Sequence, residues 1–181
     1  MLKHIFILWL SIINFIAFTQ EVKLDNLVEK DGITYIKGED EPFTGKGVMF
    51  FSNGKKSNET TYVNGQATGD ETIWNENGNF FMQYEQKNGK LDGVWHEWYE
   101  NAQMKSEVHY KDDYMYGHCI RWYENGNKME EGDYHHCKET GKWTYWYENG
   151  NKKEEGDYRE ATKTGKWIEW NENGVAKETV Y

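Results

Sequence analysis

The chain has 181 residues, enough for one ordinary domain, and its 31 Asp+Glu against 21 Lys+Arg give a formal charge of −10. No run of Lys/Arg is present to neutralise phosphates, which argues against nucleic acid as a partner and equally against anionic lipid headgroups. Aromatics reach 17% while apolar residues total only 37%, so a core must be assembled largely from rings, which suits a thin structure with much surface.

Residues 1–19 read as a secretory leader. Lys3 and His4 precede a run from Ile5 to Phe18 that is apolar apart from Ser11 and Asn14. That run is shorter than the ~20 residues of a comfortable membrane span. Ala17 and Thr19 place small residues before a cut at Gln20. The expectation is a secreted or periplasmic (cell-envelope) protein, with membrane contact only if residues 1–19 stay as an anchor. Residues 20–44 are expected to form an N-terminal cap and half-repeat, with a strand at Ile33–Ile36. Pro42 and the charges around it would guard the sheet edge.

From Gly45 onward the chain repeats. Gly45, Gly69, Gly93, Gly117, Gly141 and Gly165 are spaced by 24, which makes residues 45–181 six units. Counting each of these glycines as position 0, position 5 is aromatic: Phe50, Trp74, Trp98, Trp122, Trp146 and Trp170. Position 8 is always Asn, and Gly follows it except at Ala102. Each unit predicts two strands rich in Trp, Tyr and Thr around an Asn-Gly turn of type I′. Ala102, at the turn glycine, is expected to be strained. Positions 18 to 23 are expected to loop to the next unit. The fold class predicted is all-β: tandem antiparallel hairpins forming an elongated single-layer or open solenoid-like sheet. At ~10 Å of width per hairpin, six units make a sheet on the order of 55–60 Å long.

Candidate sites are few. The position-5 tryptophans Trp74, Trp98, Trp122, Trp146 and Trp170 are expected to fill space between hairpins, with Trp95, Trp143 and Trp167 at position 2. Tyr99, Tyr123 and Tyr147 at position 6 are the candidate ligand-binding row, able to stack on a glycan. Glu76, Glu100, Glu124, Glu148 and Glu172 recur too far apart for a paired-carboxylate mechanism and are expected to form cross-strand ion pairs with lysines such as Lys128, Lys152 and Lys153. His118-Cys119 and His135-His136-Cys137 admit a disulfide or a soft-metal site, but a tight hairpin puts Cys119 opposite Gly132 rather than Cys137. No catalytic residue, resident metal or cofactor is assigned.

The motif Gly-x-Trp-x-x-Trp-Tyr-Glu-Asn-Gly followed by Lys-Lys-x-Glu resembles the variant MORN repeat. The likeness covers about 45–181, is best in units four to six, and treats Tyr35 to Thr44 as a leading half-unit. Bacterial proteins of this type are often labelled YwqK-like antitoxins. The resemblance implies an antiparallel hairpin array, no catalytic residues and a binding role. The reading is therefore an exported, non-catalytic protein-binding or scaffold module. Its alternatives are a cell-surface glycan- or cell-wall-binding module and an antitoxin-like protein, the last at odds with an export leader.

Overall fold

A computed structural model describes residues 20–181, so the leader expected over 1–19 lies outside the described residues. The strands are β1 (Glu21–Lys23), β2 (Leu27–Lys30), β3 (Ile33–Ile36), β4 (Gly45–Phe50), β5 (Lys56–Val63), β6 (Gln66–Trp74), β7 (Phe80–Lys87) and β8 (Lys90–Trp98). They continue as β9 (Met104–Lys111), β10 (Tyr114–Trp122), β11 (Lys128–His135), β12 (Lys138–Trp146), β13 (Lys152–Arg159), β14 (Thr162–Trp170) and β15 (Ala176–Val180). β1 and β4 to β15 form one open 13-stranded sheet in chain order, while β2 and β3 pair apart from it. All neighbours in the long sheet are antiparallel except β1, which runs parallel to β4. The predicted tandem-hairpin architecture is the observed one.

The turns differ from the prediction. In the turn within a unit only the residue after the Asn has positive φ, as at Gly126 (+86°) and Gly150 (+87°). The Gly126 N–H donates to the Tyr123 carbonyl (2.9 Å) and the Tyr123 N–H to the Asn127 carbonyl (2.8 Å). This is a three-residue loop, Glu124-Asn125-Gly126, ending in a left-handed residue and a bulge. The Asn side chain favours it: Asn125 Oδ1 accepts the Asn127 N–H at 2.9 Å, closing the turn locally. The type I′ turns lie instead between units, at Asn64-Gly65, Asn88-Gly89, Asp112-Asp113, His136-Cys137 and Glu160-Ala161, where both residues have positive φ. The expected loops over positions 18 to 23 are therefore two-residue turns, because this turn matches the twist of the strands it joins. Ala102 sits at φ +66°, the strained geometry expected of it. Such a conformation costs a non-glycine residue roughly 1–2 kcal/mol.

A single sheet has no second layer to bury its rings, yet Trp143 is 1% exposed and Trp167 0%. The repeat glycine makes this possible. Thr144 pairs with Glu131 and Thr140 with Asp133, so Gly141, Lys142 and Trp143 together oppose Gly132. Gly141, at φ +64°, bends the strand and lays the Trp143 indole on the preceding strand. A Cβ on Gly132 would come within 2.2 Å of that ring, and one on Gly156 within 2.3 Å of Trp167. The indole N–H of Trp143 donates to the Asp133 carbonyl (3.2 Å) and that of Trp167 to the Asp157 carbonyl (3.1 Å). Rings then alternate edge to face from Tyr134 through Trp143, Tyr158 and Trp167 to Tyr181, with centroids 5.0 to 6.3 Å apart. The last hairpin lacks the bulge after its turn, since Trp170 pairs with Ala176 and Glu169 with Lys177. One residue shorter, it brings Tyr181 to the place that Tyr158 holds in the unit before.

The most buried column is thus position 2, where Cys119, Trp143 and Trp167 are fully buried, and its residues are matched in volume to those they face across the unit boundary. Gly132 faces Trp143 and Gly156 faces Trp167, whereas Val108 faces the fully buried Cys119. Tyr84 and Trp95 stack face to face at 4.7 Å and 9°. Thr60 faces Glu71. The position-5 tryptophans, expected to do the same filling, are half-buried because they have neighbours only along their own row.

Residues 20–44 cap the first hairpin. Gly47 stands in the position-2 slot, and a Cβ there would meet Leu24 at 2.7 Å and Leu27 at 3.1 Å, so the cap supplies the missing apolar filling. Phe43 is buried beside Gly45. Residues 35–44, read as a half-unit, do not extend the long sheet. Tyr35 bridges Pro42, and Thr34 hydrogen-bonds Phe43 and Gly65 across the first unit boundary. β1, not the Pro42 segment, covers the edge of β4.

The volume matching predicts strong coupling. Gly132→Val alone should destabilise by about 1–3 kcal/mol or more through overpacking. Gly132→Val with Trp143→Cys copies the Val108/Cys119 pair and should recover part of the loss, measured as denaturant midpoints. Purely additive losses would contradict the nesting.

Candidate functional site

The long edge of the sheet formed by the intra-unit turns holds the Tyr row singled out in the sequence. Each Tyr hydroxyl donates to a backbone carbonyl one unit on: Tyr99 to Trp122 (2.7 Å), Tyr123 to Trp146 (2.8 Å) and Tyr147 to Trp170 (2.8 Å). Beside them the Asn101 amide donates to the Glu124 carbonyl (2.9 Å) and the Asn125 amide to the Glu148 carbonyl (2.8 Å). These bonds clip successive turns together. The rings are half-buried, and burial pushes the Tyr99 and Tyr123 hydroxyls above the ordinary tyrosine range. A groove of about 600 Å³ remains along the edge, lined by Tyr123, Asn125, Tyr147, Glu148, Asn149 and Glu172.

The turn glutamates do not make the ion pairs expected of them. They occupy the turn itself and are exposed, while Lys128 and Lys152 reach Glu131 and Glu155, three residues on in the same strand, at 2.7 Å each. The lysine hydrogen bonds hold both carboxyls below the usual glutamate range.

Near the cap the ring column gives way to a polar groove of about 560 Å³. Glu71, in the position-2 slot, accepts hydrogen bonds from the Asn58 amide (3.0 Å) and the Gln86 amide (2.8 Å). Tyr62, Thr60 and, from the cap, Thr34 and Glu29 also line it. Burial, then the Glu71 charge, raises the Tyr84 hydroxyl above its ordinary range. In the sequence this groove shows only as a carboxylate at position 2, where units three, five and six carry Trp.

Cys119 opposes Gly132, as the hairpin register required. It is fully buried, and desolvation pushes its thiol up to about 11. Cys137 is exposed in its turn, where its Sγ accepts the Met115 N–H at 3.3 Å. The two do not pair. His135 and His136 pack at 4.5 Å between centroids with Tyr116 against both, and no group of three metal-ligating side chains forms among the described residues.

Three tandem segments, residues 91–112, 115–136 and 139–160, match the model of the MORN repeat variant. Residues 91–160 carry three variant MORN repeats. Each matched segment runs from one inter-unit turn to the next, so the MORN unit here is a whole hairpin, β8–β9, β10–β11 or β12–β13. MORN repeats are interaction modules. No curated protein matches the chain.

Two outcomes are expected of this region. Tyr123→Phe keeps the ring but loses the bond to Trp146, and should lower stability by about 0.5–1.5 kcal/mol in urea unfolding. A thiol-specific reagent at pH 8 should modify one cysteine per folded chain, Cys137, and a second only on unfolding. Rapid labelling of Cys119 in the folded protein would contradict its burial.

Proposed function

We propose that this MORN-repeat chain is an exported, non-catalytic scaffold that binds another protein through its sheet. The observation that carries the reading is the open single-layer sheet, in which the same hydrogen bonds and ring contacts recur from unit to unit and, beyond the N-terminal cap, no second layer covers either face among the described residues. Surface of this kind suits recognition by area and shape, whereas catalysis needs unlike groups converging at one point. The leader pattern of residues 1–19 supports a location outside the cytoplasm.

A second reading, glycan or cell-wall binding, draws on the edge groove, where the Tyr123 and Tyr147 rings stand beside the side chains of Asn125, Asn149 and Glu148. Rings with amide and carboxylate neighbours suit stacking on a sugar and hydrogen-bonding its hydroxyls.

The test is in vivo cross-linking of the tagged chain, with mass measurement of the mature N-terminus. A chain beginning at Gln20 and one reproducible cross-linked protein in the envelope or medium are expected. An N-terminus at Met1 in a cytoplasmic fraction would remove the export reading. Cross-linking to no protein, with co-sedimentation on cell wall, would replace the scaffold by the glycan reading.

A further inference from the structure

The register exposes a row that crosses the whole sheet near the turns. Position 5 of each unit pairs with position 11 of the same hairpin: Phe50 with Lys56, Trp74 with Phe80, Trp98 with Met104, Trp122 with Lys128, Trp146 with Lys152 and Trp170 with Ala176. In units four and five, position 11 is Lys, and it does two things. Lys128 lies 5.7 Å from the Trp146 ring and Lys152 5.7 Å from the Trp170 ring, so the lysines shield the tryptophans of the next unit. They also neutralise Glu131 and Glu155 at position 14. Lys56 makes the same i,i+3 pair with Glu59 in unit one.

Units two and three break this pattern. Phe80 replaces the lysine in unit two, and the position-14 residue there is Gln83, so cation and anion are lost together. Met104 replaces it in unit three, but Glu107 is kept. Its ion-pair partner there is His96, at 3.6 Å. The result is an unbroken apolar strip of Trp74, Phe80, Trp98, Met104 and Trp122. Phe80 is 46% exposed, with its ring 6.2 Å from Trp74 and 5.3 Å from Trp98. At the far end of the strip, Met104 holds the repeat position between Glu107 and Trp122 that Lys128 holds between Glu131 and Trp146.

We propose that this strip docks a partner polypeptide whose apolar side chains cover Trp74, Phe80 and Trp98 and whose Lys or Arg reaches Glu107 beside Met104 and Trp122, supplying the cation that units four and five carry themselves. The inference rests on the protein-binding reading and names the partner's chemistry. Charge complementarity selects the occupant: a basic-apolar segment suits a strip that retains Glu107 on a chain of charge −10, and the same charge opposes a second copy or an anionic bilayer.

The test uses the full chain and its Phe80→Lys/Met104→Lys variant, which restores the residue that units one, four and five carry and should fold with unchanged strand circular dichroism. The probe is a labelled peptide of about eight residues alternating Leu and Lys, since the strip crosses five strands, roughly 20 Å, and an extended chain rises ~3.3 Å per residue. Binding that weakens about tenfold or more in the variant, falls with added salt and is lost when the peptide's Lys are changed to Glu is the expected result. No binding to the parent chain, equal affinity for both proteins, or equal binding of the Glu peptide would overturn the proposal. So would a dimer of the parent chain, seen by sedimentation, that the variant loses. Cross-linking of both proteins to the same partner in cells would reject this strip while leaving the scaffold reading in place, whereas cross-linking of neither would count against that reading itself.

Discussion

The structure depends on laying a large ring from one strand onto the backbone of the strand before it. A one-layer sheet offers a Trp side chain nothing to pack against above or below, and burying an indole is among the larger gains a small chain can make. Here the gain comes from a bent strand: the bulge at Gly141 aims Trp143 across the unit boundary, and Gly132 leaves the space to receive it. Each unit therefore leans on the one before. Stability propagates along the array through such boundaries, as in other solenoid-like proteins.

The same dependence explains the irregular N-terminal units. Where a ring is absent from position 2, something must fill or hydrate the slot. Leu24 and Leu27 of the cap crowd Gly47, Cys119 matches Val108, and Glu71 is ringed by amides and tyrosines. What reads as decay of the motif is a set of local solutions to one packing problem. A polar groove and an apolar strip both result in the N-terminal half, where units two and three depart from the pattern of four and five. Units four and five place Lys128 and Lys152 over Trp146 and Trp170, and their turns are clipped to the next by Tyr123, Asn125 and Tyr147.

Much was legible from the sequence because the period is strict. The spacing of Gly45 to Gly165 gave the number of units, their hairpin character and the opposition of Cys119 to Gly132. That last register survived a wrong turn type, since the extra residue of the three-residue loop is absorbed by the bulge that follows it. Turn type itself was misread because Asn-Gly favours type I′ in general, and only the Asn125 side chain bonding to Asn127 tips this one the other way. The between-unit turns were missed for the opposite reason: His136-Cys137 and Glu160-Ala161 lack the residues that announce positive φ.

The sequence by itself determined the repeat, the strand content and the ring-rich character, because these follow from local periodicity and side-chain type. Only the tertiary structure decided which rings are buried and which row is open. In units three, five and six positions 2 and 5 both carry Trp, and strand alternation says only that they lie on opposite faces. Their fates diverge at the bulge, a backbone event set by pairing with the neighbouring unit. It presses position 2 onto a glycine two strands from its own turn partner and leaves position 5 to whatever residue stands at position 11. That pairing sets Met104 beside Trp98 and Lys128 beside Trp122, and Lys128 in turn reaches the Trp146 ring of the next unit, so the residue at position 11 decides which tryptophans have a lysine over them.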